Sequence, residues 1–209
     1  MRRRWLALIL VPLMLALGSA PALAQKPAAP KPAVRTETAI FAGGCFWCME
    51  HDMGAIPGVI SATSGYTGGH VPDPTYEIVT GERSGHYESV RVVFDPARIS
   101  YALLMDRYWR LVDPTDAGGQ FCDRGPSYRT AVFVTPAQRP IAEASRAKWA
   151  ARLKTGKMTT EILPAQRFYE AEEEHRDFAK RNAAYYDRYR TGCGRDFRLA
   201  RVWGRPGEN

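Results

Sequence analysis

Cys45 and Cys48 stand three residues apart in "GCFWCME", directly after the apolar run "TAIFAG", with Phe46 and Trp47 between them. Two thiols at this spacing, one helical turn apart, invite chemistry, because thiolate is the form of cysteine that attacks sulfur, ligates metal and exchanges disulfides. Three readings use such a pair: a thioredoxin-like redox couple, half of a zinc site, or a nucleophile toward a peroxide or sulfoxide. The zinc reading lacks its second half, since Cys122 and Cys193 are solitary, and no metal is expected. Two inert disulfides among the four cysteines are the plain alternative, yet such bridges have no need of the Gly43-Gly44 turn that exposes Cys45. Phe46 and Trp47 would crowd a protein disulfide but would line a small apolar pocket, and aromatic faces attract a thioether-like sulfur and its methyl group.

The elements that must position these groups follow from periodicity and punctuation. "TAIFAGG" reads as a buried strand, and "CFWCMEHDMGAI" as a helix of about three turns ending at Pro57-Gly58. Cys45 then falls near a helix N-terminus, where unpaired backbone donors favour a thiolate. "VISATSGYTGG" and "YESVRVVFDP" are further strands, and Ser100 is placed to cap a helix over "YALLMDRYWRLV". "YRTAVFVT" is another strand, and Thr135-Pro136 with Gln138 forms a T-x-x-Q start to a helix carrying Ile141, Ser145, Trp149 and Leu153 at intervals of four. "TTEIL" is a short strand, and "RFYEAEEEHRDFAKRNAAYYDRYR" reads as one charged helix ending at Gly192. The pattern is α+β: a mixed sheet with packed helices and loop-rich ends.

Outside this domain, Arg2, Arg3 and Arg4 precede the apolar run "WLALILVPLMLALGSA" and an A-L-A ending. Residues 1–24 are therefore expected to be a secretory signal peptide cleaved after Ala24, giving a periplasmic or secreted protein. Residues 25–36, rich in Pro and Ala, form an extended spacer, and residues 37–209 a single catalytic domain. The net charge of +7 shrinks once the three arginines leave with the signal, and no nucleic-acid partner is expected. Nor is stable membrane insertion after cleavage, and the mature chain is expected to be a monomer.

Beyond the thiol pair, several blocks carry a resemblance. "GCFWCME" resembles the signature of the A-type peptide methionine sulfoxide reductases, G-C-F-W followed by a variable pair and Glu. "PGVISATSGYTGG" with "PTYEIV", "TGERSGHYESVRVVFDP" and "DRGPSYRTAVF" resemble that family's next blocks in order, so the likeness runs from about residue 38 to 178. The resemblance implies a two-layer α/β sandwich with a mixed sheet and a loop-rich C-terminal region. It implies Cys45 as nucleophile, and Phe46 and Trp47 as walls around the substrate methyl. Glu88 becomes the acid facing the sulfoxide oxygen, with Tyr76 and Tyr128 as phenolic donors and Asp123 as supporting carboxylate. The substrates implied are methionine S-sulfoxide, free and in oxidised proteins, with no cofactor beyond an external thioredoxin-like dithiol.

Taken singly, Glu88 is equally an outward strand residue, Tyr76 and Tyr128 core rings, and Asp123 a turn residue before Gly125-Pro126. Only the joint pattern raises them. His51, His70, His86 and His175 read as structural or surface residues, with His86 nearest the pocket rim. The thiol that resolves a Cys45 sulfenic acid is open among Cys193, Cys48 and Cys122. Where relatives carry H-Q-x-Y, this chain has "HRDF", and Cys193 arrives later in "GCGRDFRLARVWG". Two other classes stay in view: a thiol-disulfide oxidoreductase, and a secreted module that binds methionine-rich surfaces without catalysis.

Overall fold

The structure, a computed structural model, describes residues 35–153 and 156–204. The expected signal peptide and nearly all of the expected spacer lie outside the described residues. In chain order the elements are β1 (Glu37–Gly43), α1 (Phe46–Gly54), β2 (Val59–Thr67), α2 (Tyr76–Thr80), β3 (Tyr87–Phe94), α3 (Tyr101–Trp109), β4 (Gly119–Gln120), β5 (Asp123–Arg124) and β6 (Thr130–Val134). They continue with α4 (Arg139–Ala150), β7 (Glu161–Pro164), β8 (Tyr169–Glu170), α5 (Phe178–Arg181), α6 (Ala183–Gly192) and α7 (Arg195–Trp203).

Six strands form one sheet in the order β7-β6-β1-β3-β2-β8, and β4 and β5 form a separate small ribbon. All neighbours in the large sheet pair antiparallel except β6 and β7, which run parallel, so the sheet is mixed as expected. Alternation along β3 decides its two faces. Glu88, Val90, Val92 and Phe94 share one face, fully buried under the helices, while Tyr87 packs behind the sheet against Phe133. The main core lies between the sheet and helices α1, α3 and α4, with Trp203 of α7 included. Ser100 caps α3 by accepting from Leu103 N–H at 3.2 Å. Thr135 and Gln138 exchange side-chain and backbone hydrogen bonds as a capping box in the turn that leads into α4.

One sequence expectation fails and another, the inward stripe at intervals of four, holds for Ser145, Trp149 and Leu153 but not for Ile141. The face of α4 turned inward is Ala142, Ser145 and Trp149, while Ile141 points outward. The charged stretch from Arg167 to Arg190 is not one helix. Tyr169 and Glu170 add a strand to β2 as β8, Asp177 adopts left-handed φ of 51°, and helix resumes only at Phe178. Glu50 of α1 accepts the Asp177 N–H at 2.7 Å and the Ser64 N–H at 2.9 Å, and Glu172 holds Tyr66 and Tyr76, each at 2.8 Å. These anchors fold the segment back over α1 and override the helix propensity of its glutamates. Cys193 sits in the short turn between α6 and α7.

Candidate active site

Cys45 is the N-cap residue of α1, and its carbonyl accepts from the backbone of Cys48 and Met49 at 3.2 and 3.3 Å. The preceding glycines are required sterically. Gly44 has φ of 80°, and a Cβ there would lie 2.5 Å from Gln120 Cβ. A Cβ on Gly43 would lie 2.5 Å from Met49 Sδ. Gln120 is itself fixed by bonds to Asp113 N–H and to the carbonyls of Asp113 and Gly119, each at 2.8 Å. The helix start is thus held against a rigid wall, with the Cys45 side chain 7 % exposed.

Glu88 reaches the same helix end from the sheet. One of its oxygens accepts the Phe46 N–H at 2.9 Å, and the residue is 1 % exposed. Burial raises its carboxyl to about 8, and the nearby Asp123 charge adds to that, against the lowering effect of the Phe46 N–H and the Tyr128 hydroxyl. At neutral pH Glu88 is therefore chiefly a neutral acid with a proton to give. Tyr128 interacts with both the Glu88 carboxyl and the Tyr76 phenol, and burial pushes both phenols up, keeping them protonated donors. Asp123, raised by burial, accepts a short bond from the Tyr189 hydroxyl.

The two thiols differ in a way the sequence did not foresee. Burial raises Cys45 well above the ordinary cysteine value, and the Cys48 thiol and the Glu88 charge raise it further. Cys48 moves down to about 7, led by its hydrogen bond with Cys45 and helped by the charges of Arg195 and Arg190. Burial therefore works against the helix terminus at Cys45, and the two hydrogen-bonded thiols titrate as one pair.

Aromatic rings close the other side. Phe46 is 1 % exposed and meets Tyr66, Tyr76 and His175 with ring centroids 5.7, 6.4 and 5.5 Å away. Trp47 stacks on Phe178 at 3.8 Å and donates from Nε1 to His175 Nδ1 at 3.3 Å. His175 in turn stacks on Tyr76 at 4.3 Å. Cys45, Phe46, Trp47, Tyr76, Glu88, Asp123 and Tyr128 thus converge on one end of α1. Of the resolving candidates, Cys48 touches Cys45, whereas Cys122 and Cys193 are bonded to each other.

Two residues of this cluster, His175 and Tyr189, escaped the sequence reading, and His86 was misplaced by it. His175, read as structural or surface, lies between Trp47 and Tyr76. His86, expected near the rim, instead pins the loop after β2, accepting from Gly69 N–H at 3.1 Å and meeting Val71 O at 2.7 Å. Tyr189 contacts the Cys45 thiol and presents its ring edge-on to Trp47 at 5.8 Å. Its signal was present in "AAYYDRYR", where Tyr185 and Tyr189 sit four apart on one helical face, and both meet Trp47.

Comparison with known proteins agrees with this geometry. Residues 37–206 match the family described as peptide methionine sulfoxide reductase. A peptide methionine sulfoxide reductase MsrA 2 of Caulobacter vibrioides is 66 % identical, covering 97 % of this chain and 99 % of its own. The MsrA of Bacillus subtilis is 48 % identical, covering 81 % and 97 %. Among solved structures, methionine sulfoxide reductase A of Corynebacterium diphtheriae superposes with a TM-score of 0.64 at 34 % identity, covering 74 % of this chain and 77 % of that one. Reduced Mxr1 of Saccharomyces cerevisiae superposes at 0.62 with 28 % identity, covering 71 % and 86 %. The chain belongs to the peptide methionine sulfoxide reductases of the A type, enzymes that reduce methionine sulfoxide in peptides to methionine.

Proposed function

We propose that Cys45 carries out this reduction on methionine S-sulfoxide, with Glu88 as the proton donor. The observation that carries the reading is the contact of the buried Glu88 carboxyl with the same helix end that holds the Cys45 thiol. The sulfoxide methyl lies against Phe46 and Trp47, and its oxygen faces Glu88, Tyr76 and Tyr128. Cys45 gives its proton to Cys48, its hydrogen-bonded neighbour, and its sulfur attacks the sulfoxide sulfur. Negative charge grows on oxygen, where the acid and phenols stabilise it, and Glu88 transfers its proton there. The hydroxyl passes to Cys45 as the methionine thioether leaves, so the substrate is reduced by two electrons and Cys45 becomes a sulfenic acid.

Cys48 then attacks the Cys45 sulfur, displacing hydroxide, which leaves as water with the Cys48 proton, and a Cys45–Cys48 disulfide forms. A thiol near pH 7 in its ionisation, in contact with its target, suits this step. An external thioredoxin-like dithiol exchanges with that disulfide and restores both thiols. Substrates are free methionine sulfoxide and oxidised proteins, so the role is repair. The chain is exported by residues 1–24 and acts in the periplasm or outside the cell, a setting compatible with the Cys122–Cys193 disulfide. Incubation of the mature chain with each epimer of a methionine sulfoxide peptide plus dithiothreitol tests the activity: only the S form is consumed, and consumption of the R form or of neither refutes it. N-terminal sequencing of the protein from a periplasmic fraction tests cleavage after Ala24.

A further inference from the structure

The fold brings together a donor set that sequence spacing hides. Cys122 and Cys193, 71 residues apart, meet beside Asp123, and the ligand atoms of all three lie within 4.8 Å of one another. We propose that opening the Cys122–Cys193 disulfide creates a site for a thiophilic divalent cation, with zinc the best fit. The two thiolates and the Asp123 carboxylate hold it, and its binding slows the enzyme by taking Asp123 from Tyr189. An external dithiol opens the bridge, transferring two electrons and leaving as its own disulfide. The cation then displaces the two thiol protons. Tetrahedral zinc with sulfur at about 2.3 Å needs its sulfurs roughly 3.8 Å apart, a small opening from a bonded pair.

The surroundings favour such a charge. Cys122 is exposed and offers an entry, while Asp123 and Cys193 are half-buried. Arg195 is buried, stacks over the Phe121 ring at 4.5 Å and acts on Asp123. Its Nη1 has no hydrogen-bond partner, and its Nε lies 3.7 Å from Asp52 Oδ2 as an ion pair. Two thiolates and one carboxylate carry three negative charges; a divalent ion cancels two, and Arg195, shared with Asp52, offsets part of the third. Sulfur donors select zinc over magnesium and calcium, which require oxygen shells. The coupling to catalysis is direct, because Asp123 accepts from Tyr189, which contacts the Cys45 thiol. Cys193 closes the helix that carries Tyr189, so the metal draws on both ends of this link.

The test uses the mature chain with Cys45→Ser and Cys48→Ser, which removes the competing thiol pair, reduced with a phosphine and titrated with Co2+ under argon. One ion per chain with a thiolate-to-cobalt charge-transfer band is expected, and none in the disulfide form. Cys122→Ser and Cys193→Ser each abolish the band, with circular dichroism reporting their fold, and Asp123→Asn weakens binding by about tenfold or more. Absence of the band in the reduced chain, or a band indifferent to both serine variants, overturns the site. On the chain with all cysteines present, reduced and freed of reductant, Zn2+ is expected to slow a single turnover at least about tenfold, reversed by chelation. Equal inhibition of Cys122→Ser by Zn2+ overturns the link to catalysis, while the cobalt titration reads the site whether or not the chain turns over.

Discussion

The Glu88 carboxyl accepts the backbone N–H of Phe46 at 2.9 Å, which ties the first inward position of β3 to the first turn of α1. That bond satisfies a donor the helix start leaves open and places an acid next to the Cys45 thiol. Because burial holds this carboxyl near 8, it is protonated at neutral pH and ionised in alkali.

Glu88→Gln is expected to lower kcat/KM by about 10²–10³-fold, since a glutamine can donate a hydrogen bond but no proton. In the parent chain the proton is present below about 8 and lost above it, so activity falls as pH rises through that value. The variant lacks that alkaline limb. A pH profile that keeps the same limb in Glu88→Gln refutes the assignment.

Linkage gives a second readout at Glu88. Its folded value lies above the ordinary 4.5, so the contribution of the neutral acid to stability is fully present below 4.5 and is lost as pH rises through about 8. Urea denaturation between these limits should show a decline of a few kcal/mol that is absent from Glu88→Gln.

Cys48→Ser is expected to release one methionine per chain without reductant, more slowly than the parent because the acceptor of the Cys45 proton is gone, and then stall, leaving a Cys45 sulfenic acid that dimedone traps. The parent chain instead yields a Cys45–Cys48 disulfide, visible in non-reduced peptide maps. A crosslink from Cys45 to Cys193 or Cys122 in the parent chain would give the resolving role to those residues.

Tyr189→Phe removes a donor to Asp123 and a contact of the Cys45 thiol, leaving the ring on Trp47. A bond to a charged partner is worth about 1.5–3 kcal/mol, so kcat should fall about 10- to 100-fold with KM nearly unchanged. Equal loss in KM would mean that the ring, not the hydroxyl, matters.

Glu50→Ala leaves the buried N–H of Ser64 and that of Asp177 without their partner. Each orphaned group costs about 1–3 kcal/mol, and thermal unfolding should shift down accordingly. Glu50→Gln, which keeps acceptor oxygen for one of them, should recover part of the loss.

Local rules sufficed where one residue's neighbours in sequence decide its environment. The strands β1, β2, β3 and β6, the Ser100 cap and the Thr135-Gln138 box were legible because period-two alternation and side-chain capping act within a few residues. The stretch from Arg167 to Arg190 was misread because its breaks are imposed by Glu50 and by the edge of β2, both more than a hundred residues away in the chain.

What the sequence by itself determined was the list of reactive groups and the family, since those rest on residue types at set spacings. Tertiary structure decided the rest: that Tyr189 and His175 join the cluster, that Cys122 finds Cys193, and that the charges of Arg195 and Arg190 fall beside Cys48. The reason is desolvation. How much water a thiol or carboxyl loses, and which cation remains near it, depends on chain segments brought together only by folding.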